Sequence, residues 1–172
     1  MISESTKPNF IVRAGEFQIN DAGSDLYSRH EKVKAEVAEL DRAWAGAFLA
    51  AIFLNNPWLG RFTLKISTRY ELDDEGCYYR TYSPVVSCVT SLGECSLSST
   101  AFDGGRFCPE LANDHLADEI DGHARDLYQA IADPDATDVS VELRRDAFAS
   151  HLDGGAIDGR TAYLAFFNST HN

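Results

Sequence analysis

Apolar side chains, with one histidine among them, recur at Leu26, His30, Val33, Val37, Leu40, Trp44 and Phe48. Steps of three and four put all seven on one stripe of an α-helix. The local signals predict that helix from Ser24 to Asn56. Ser24 is a candidate cap, and Ser28 with Glu31 forms an alternative capping box. Asn55-Asn56-Pro57 stops it, because proline cannot continue the hydrogen-bond ladder. Glu31, Lys32, Lys34, Glu36, Glu39 and Arg42 occupy the outer positions. Ala43 to Leu54 is apolar nearly all round, so that end is expected to be buried on several sides. The apolar run is too short for the roughly 20 residues that span a bilayer. A core helix is the plain reading of the stripe; a coiled-coil or partner-binding seam is the alternative.

A period of two replaces the helical one at Arg61–Leu72. Phe62, Leu64, Ile66, Tyr70 and Leu72 point one way; Arg61, Lys65, Arg69 and Glu71 point the other. That alternation predicts a strand with one face on a core and one face wet. Asp73-Asp74-Glu75-Gly76 turns the chain into a second strand, Cys77 to Leu92, with Pro84 suggesting an edge or a bulge. Gly93-Glu94 leads to a third strand, Cys95 to Phe102, completing an antiparallel meander. Phe10 to Ile19 reads as a short strand or hairpin around Gly15. Pro109 opens a second helix that runs to about Ala132. Thr137 to Leu143 reads as a strand, Arg144 to Leu152 as a short helix, and Thr161 to Phe167 (TAYLAFF) as a final buried strand. The expected fold class is α+β: a three-stranded or larger antiparallel sheet on one long helix, with a second, acidic helix. At 172 residues and 44% hydrophobic composition, a single domain spanning 1–172 is expected.

Charge changes this outline. The chain carries a formal net charge of −12, from 15 basic and 27 acidic residues. Ten acidic and only two basic residues fall between Asp103 and Asp138, so that segment holds most of the excess. At about 100° per residue, Asp114, Asp118 and Asp121 lie opposite Leu116, Ile120, Leu127 and Ile131, with Glu110 at the edge. Glu110, Asp114, Asp118, Asp121 and Asp126 are therefore the candidate partner-binding residues. Neighbours one turn apart stand about 5–6 Å from each other, the scale on which phosphates follow one another along a DNA strand. Such a stripe can imitate a nucleic-acid backbone and occupy the basic groove of a nucleic-acid-binding protein. The plain alternative is a solvated face with Asp121 and Arg125 as a surface pair.

Other constellations carry less. His115, Glu119 and His123 share a helical edge at metal-ligand spacing, but lack H-E-x-x-H and a fourth ligand. Cys77, Cys88, Cys95 and Cys108 form no C-x-x-C pair and read as buried small hydrophobes. Arg61, Lys65 and Arg69, with Tyr78 and Tyr82 on the same face if Leu72 pairs with Cys77, resemble a stacking platform for single strands. The net charge of −12 opposes direct nucleic-acid binding. No G-x-S-x-G, P-loop or dinucleotide fingerprint is present. A Cys/His nucleophile pair such as Cys108 with His115 is a further candidate, though nothing in the sequence positions the two together.

The order strand, helix, three antiparallel strands, helix, strand, helix, strand resembles, in topology alone, the acyl-CoA-dependent acetyltransferases. That resemblance implies a small enzyme with coenzyme pyrophosphate at the loop opening the central helix. Here the loop is Asp103-Gly104-Gly105-Arg106-Phe107-Cys108-Pro109, without the family's paired glycines in a basic setting. The expected function is instead that of a non-catalytic acidic protein-binding module or inhibitor, comparable in character to phage and plasmid counter-defence proteins of the anti-CRISPR kind. Its partner would be a basic protein of a nucleic-acid-binding complex, with no cofactor, metal or membrane involved. The polar N-terminus lacks the apolar run of a secretory signal, which leads to a cytoplasmic expectation. An oligomerising structural subunit is the remaining class.

Overall fold

The computed structural model describes residues 7–93, 100–133, 135–154 and 156–167. They fall into two compact units divided between Leu40 and Asp41.

In the first unit, β1 (Phe10–Arg13) and β2 (Glu16–Ile19) form an antiparallel hairpin. Ala14 and Gly15 make its turn at φ +54° and +85°, a conformation that the glycine supplies without steric cost. Phe10 and Phe17 stack with ring centres 4.9 Å apart. Helix α1 (Asp21–Asn55) follows. It starts one turn before Ser24, because Asn20 is the cap. The Asn20 Oδ1 accepts the N–H groups of Gly23 at 2.9 Å and Asn9 at 3.0 Å. Its amide donates to Lys7 O at 2.9 Å, so one side chain both opens the helix and holds the hairpin.

The second unit contains the sheet: β3 (Leu59–Leu72), β4 (Tyr78–Ser91) and β7 (Asp138–Arg144), in the antiparallel order β4-β3-β7. The expected α+β arrangement is present, with the sheet packed against α1. The first two strands of the expected meander pair as β3 and β4, and the other edge of β3 is taken by β7, with Phe62 opposite Leu143. Most of the proposed third strand, Cys95 to Phe102, lies outside the described residues; at its end β5 (Phe102–Asp103) pairs with β6 (Arg106–Phe107). Beside Pro84 the ladder is regular, Pro84 opposite Ile66. The irregularity falls nearer the sheet's other end, where Cys88 takes a positive φ of 55°.

Ala45, Leu49, Ile52 and Phe53 of α1 join Phe62, Leu64 and Ile66 of β3, Val86 and Val89 of β4, and Leu143 of β7 in one core. Phe53 lies at its centre, 5.3–5.8 Å from the rings of Phe62, Phe148 and Phe166. Each such buried side chain contributes roughly 1.5–3 kcal/mol.

Three predicted elements come out differently. The second helix is two helices, α2 (Pro109–Asp121) and α3 (Ala124–Ile131), parted at Gly122-His123. Glycine is among the poorest helix formers, and the His123 N–H turns back to Ile120 O at 2.8 Å. Arg144 to Leu152 forms two short 3₁₀ turns, Arg145–Ala147 and Ala149–Gly154. Thr161 to Phe167 is helical, not a strand: it belongs to α4 (Gly159–Phe167). Asp158 starts α4, its Oδ1 accepting the Thr161 N–H at 2.9 Å and the Thr161 hydroxyl at 3.1 Å. Ala162 and Phe166, four apart, are then the buried pair.

The cap gives a pH prediction. The Thr161 backbone N–H, then its hydroxyl, hold the Asp158 carboxyl below the ordinary carboxylate value. The unfolded chain therefore takes up the proton first as the pH falls. The contribution of the cap is full above the ordinary value and disappears as the pH passes down through the lowered one. Asp158→Ala is expected to reduce stability at neutral pH, and the gap from wild type should close in acid. Urea midpoints measured from neutral to acid pH check this; a constant gap would mean that the carboxylate does not cap α4.

Candidate functional site

The acidic face is built on α2 and α3. Proline at the first position opens α2. Ala112, Leu116 and Ile120 bury its inner side, and Ala124, Leu127, Tyr128 and Ala130 bury that of α3. Burying these residues turns the carboxylates outward. Glu110, Asp114, Asp118 and Asp121 are all exposed on α2, and Asp126 is exposed on α3. The break at Gly122 separates Asp126 from the stripe of the other four. From Glu110 to Asp121 the rise is about 16 Å, at ~1.5 Å per residue.

These carboxylates are not neutralised locally. Among the described residues, Asp114, Asp118, Asp121 and Asp126 make no ion pair. The expected Asp121–Arg125 pair is absent, since the helix ends between them. Among the described residues, the polar contact of Glu110 is the Cys108 thiol, which donates to its Oε2 at 3.4 Å. The bases of the sheet are engaged elsewhere. Lys65 lies 3.6 Å from Asp138 and Arg61 lies 4.0 Å from Glu142, so β7 supplies their carboxylates.

The tyrosine–arginine platform is not assembled. The connection takes five residues, Asp73 to Cys77, because the Asp73 Oδ1 accepts the N–H groups of both Glu75 and Cys77. Leu72 then pairs with Tyr78, and Arg69 with Thr81. That slip of one residue moves Tyr78 and Tyr82 to the face opposite Arg61, Lys65 and Arg69. Arg80 moves with them and becomes a lock between β4 and α3. It donates to Thr68 Oγ1 at 3.0 Å, Tyr128 Oη at 2.9 Å and Ala136 O at 3.2 Å. Its guanidinium lies 4.9 Å from the Tyr128 ring centre.

The histidine edge is divided. His115 Nε2 lies 3.1 Å from Asn56 Oδ1 and 3.6 Å from Glu119 Oε1. Asn56, 4% exposed, donates to Glu119 Oε2 at 3.0 Å and to Ile52 O at 3.0 Å. His115 and Glu119 thereby fasten α2 to the end of α1. His123 packs instead on the rings of Trp44 and Phe48, at 5.7 and 4.7 Å. Among the described residues no three His, Cys, Asp or Glu side chains converge on a metal-sized site. Cys108 and His115 turn to different partners, so the candidate nucleophile pair is not formed. Cys77 and Cys88 are exposed rather than buried, Cys108 is half-buried, and Cys95 lies outside the described residues.

A cleft of about 510 Å³ is lined by Gly60, Arg61, Thr90, Leu92, Arg144, Arg145, Asp146 and Ala149. Its arginines are occupied: Arg144 binds Asp146 through two hydrogen bonds of 3.1 and 2.8 Å, and Arg145 binds backbone carbonyls. Arg144 in turn holds the Asp146 carboxyl below the usual carboxylate range, chiefly by hydrogen bonding. Sequence reasoning overlooked Arg145; the absence of any basic residue in the last turn of α1 was the available signal.

No helix among the described residues is long and apolar enough to cross a membrane. Comparison with protein families, curated proteins and solved structures finds no match to this chain.

Proposed function

We propose that this chain is a non-catalytic protein-binding module whose α2–α3 carboxylate face docks into the basic, nucleic-acid-binding surface of another protein and occludes it. The observation that carries the reading is the set of four exposed aspartates with no ion pair among the described residues. Unpaired like charges on a rigid helix cost mild repulsion and produce a field that speeds encounter with a basic partner. An inhibitor that mimics a nucleic-acid backbone, of the counter-defence type, is the most specific form of this proposal. The enzyme alternative would place its ligand in the 510 Å³ cleft, whose arginines are already engaged within the protein. The docking reading is preferred for that reason.

The test compares wild type with Asp114→Lys/Asp118→Lys/Asp121→Lys as baits in lysate from the source cells, at low and moderate salt. Wild type is expected to retain a basic nucleic-acid-binding protein, to release it to competing duplex DNA, and to hold it less tightly as salt rises. The variant should retain at least roughly tenfold less, because three attractive charges become repulsive. Equal capture by both baits would rule out the carboxylate face as the docking surface.

A further inference from the structure

From Ser24 to Val37 every residue of α1 is exposed. Within and just beyond that stretch, Leu26, Val33, Val37 and Leu40 show 48–69% of their surface. They do not lie at random. Leu26, His30, Val33, Val37 and Leu40 follow steps of four, three, four and three, the a/d seam of a coiled coil. An isolated helix of this length is marginal in water, and a contiguous apolar seam on its surface calls for a cover.

We infer that the N-terminal half of α1 pairs antiparallel with the same segment of a second copy of this chain. This inference does not depend on the carboxylate face.

The flanking charges choose both the occupant and the direction. With Leu26, Val33 and Leu40 at d and His30 and Val37 at a, Arg29 and Glu36 fall at g, and Lys34 and Asp41 at e. A parallel pair sets each g against the e five residues on in the other helix. Arg29 would then face Lys34 of the second copy, and Glu36 would face Asp41, repulsive in both cases. An antiparallel pair sets g against g. Arg29 then faces Glu36 of the second copy, and Glu36 faces its Arg29. In that register Leu26 packs on Val37, and His30 on Val33, each layer occurring twice by symmetry. The segment is thus complementary to itself in one orientation, as a two-fold pair requires. His30 puts one polar side chain in the seam, which lowers stability and fixes register. Glu36 lies 4.0 Å from Lys32, a contact between exposed groups that is readily exchanged for an intermolecular one. A dimer would present two carboxylate faces, which raises avidity for any partner with two sites.

Sedimentation equilibrium of the full chain over a range of concentrations tests the inference. The average mass should climb from one chain, 19.0 kDa, toward twice that value. Val33→Asp/Val37→Asp changes only exposed positions; it should keep the melting transition of the fold and remain a monomer throughout. Arg29→Glu and Glu36→Arg should each weaken association by roughly tenfold, since two attractive pairs become repulsive. The double exchange Arg29→Glu/Glu36→Arg should restore it. A wild-type chain that stays monomeric at every concentration overturns the inference, and so does a dimer indifferent to Val33→Asp/Val37→Asp. Single reversals that strengthen association would identify a parallel pair and overturn the antiparallel assignment.

Discussion

Gly46→Ala is expected to destabilise the protein by about 3 kcal/mol, a fall in melting temperature of roughly 6–12 °C for a chain of this size. The cause is a backbone-on-backbone crossing of α1 and α4. A Cβ at Gly46 would stand 2.1 Å from Gly159 O, 2.4 Å from Tyr163 N and 2.8 Å from Tyr163 Cβ. On the other side, a Cβ at Gly159 would stand 2.1 Å from Ala43 O. None of these atoms can rotate away, so the helices must separate. Separation withdraws Ala162 and Phe166 from the core, and Phe166 from its ring contacts with Phe53 and Phe148 at 5.8 and 4.9 Å. The helix propensity of alanine returns about 1 kcal/mol, which is too little to offset the loss. Gly122→Ala is the control. That glycine has a helical φ of −63° and open space around its missing Cβ. Alanine there should be neutral or mildly stabilising. Thermal melts of the two variants check the pair, and an unchanged melting temperature for Gly46→Ala would mean that the helices do not cross at these glycines.

The elements legible in the sequence are those whose side-chain period is long and unbroken. The strict alternation of Arg61–Leu72 identified β3 and, as far as Ile66, which of its faces is wet; Tyr70 and Leu72, expected inward, are exposed because the strand runs past the core there. The three-and-four spacing from Leu26 to Phe48 identified α1. Periodicity shows that a stripe is apolar but not what covers it, so the burial expected at Leu26, Val33, Val37 and Leu40 is not found. The strand TAYLAFF failed for a related reason. A continuous apolar run has no period, and the deciding signal was Asp158 placed three residues before Thr161. Gly122 carried the break between α2 and α3. The five-residue Asp73–Cys77 connection depends on one side chain accepting two backbone N–H groups, which composition does not reveal. A single residue of slip there sends the β4 side chains from Tyr78 to Ser87 to the other face, until the irregularity at Cys88 shifts the register again. The pairing of β7 with β3 joins segments some 75 residues apart, and local patterns do not encode it. In the candidate site, helix phase correctly brought the carboxylates to the exposed side of α2 and Leu116, Ile120 and Leu127 to the buried side.

Arg145→Met is expected to cost about 3–4 kcal/mol, because it strips the end of α1 of a charged donor supplied by the first 3₁₀ turn. A helix leaves its last carbonyls without internal partners, and they carry its negative end. The last turn of α1 contains no basic residue of its own. Arg145 reaches that end from some ninety residues away, donating to Phe53 O and, at 2.7 Å, to Asn56 O just past the helix; it also donates to Leu59 O of β3 at 2.7 Å. Its guanidinium lies 5.7 Å from the Phe53 ring centre. Each hydrogen bond from a charged donor is worth roughly 1.5–3 kcal/mol when well buried. The guanidinium is only partly buried, so the three together are discounted to about 3–4 kcal/mol. Methionine keeps much of the stem and removes the fork, which confines the loss to the polar contacts. Arg145→Lys should recover only part of it, since a single ammonium cannot match a planar fork that spans three carbonyls. Burial lowers the guanidinium from its ordinary value. Arginine is not deprotonated in proteins, so the loss should not vary with pH around neutrality. Asp158→Ala, by contrast, should lose its effect in acid. Urea midpoints for Met and Lys at position 145, taken at several pH values, check magnitude and flatness together. A loss below about 0.5 kcal/mol would show that water can replace the guanidinium at these carbonyls.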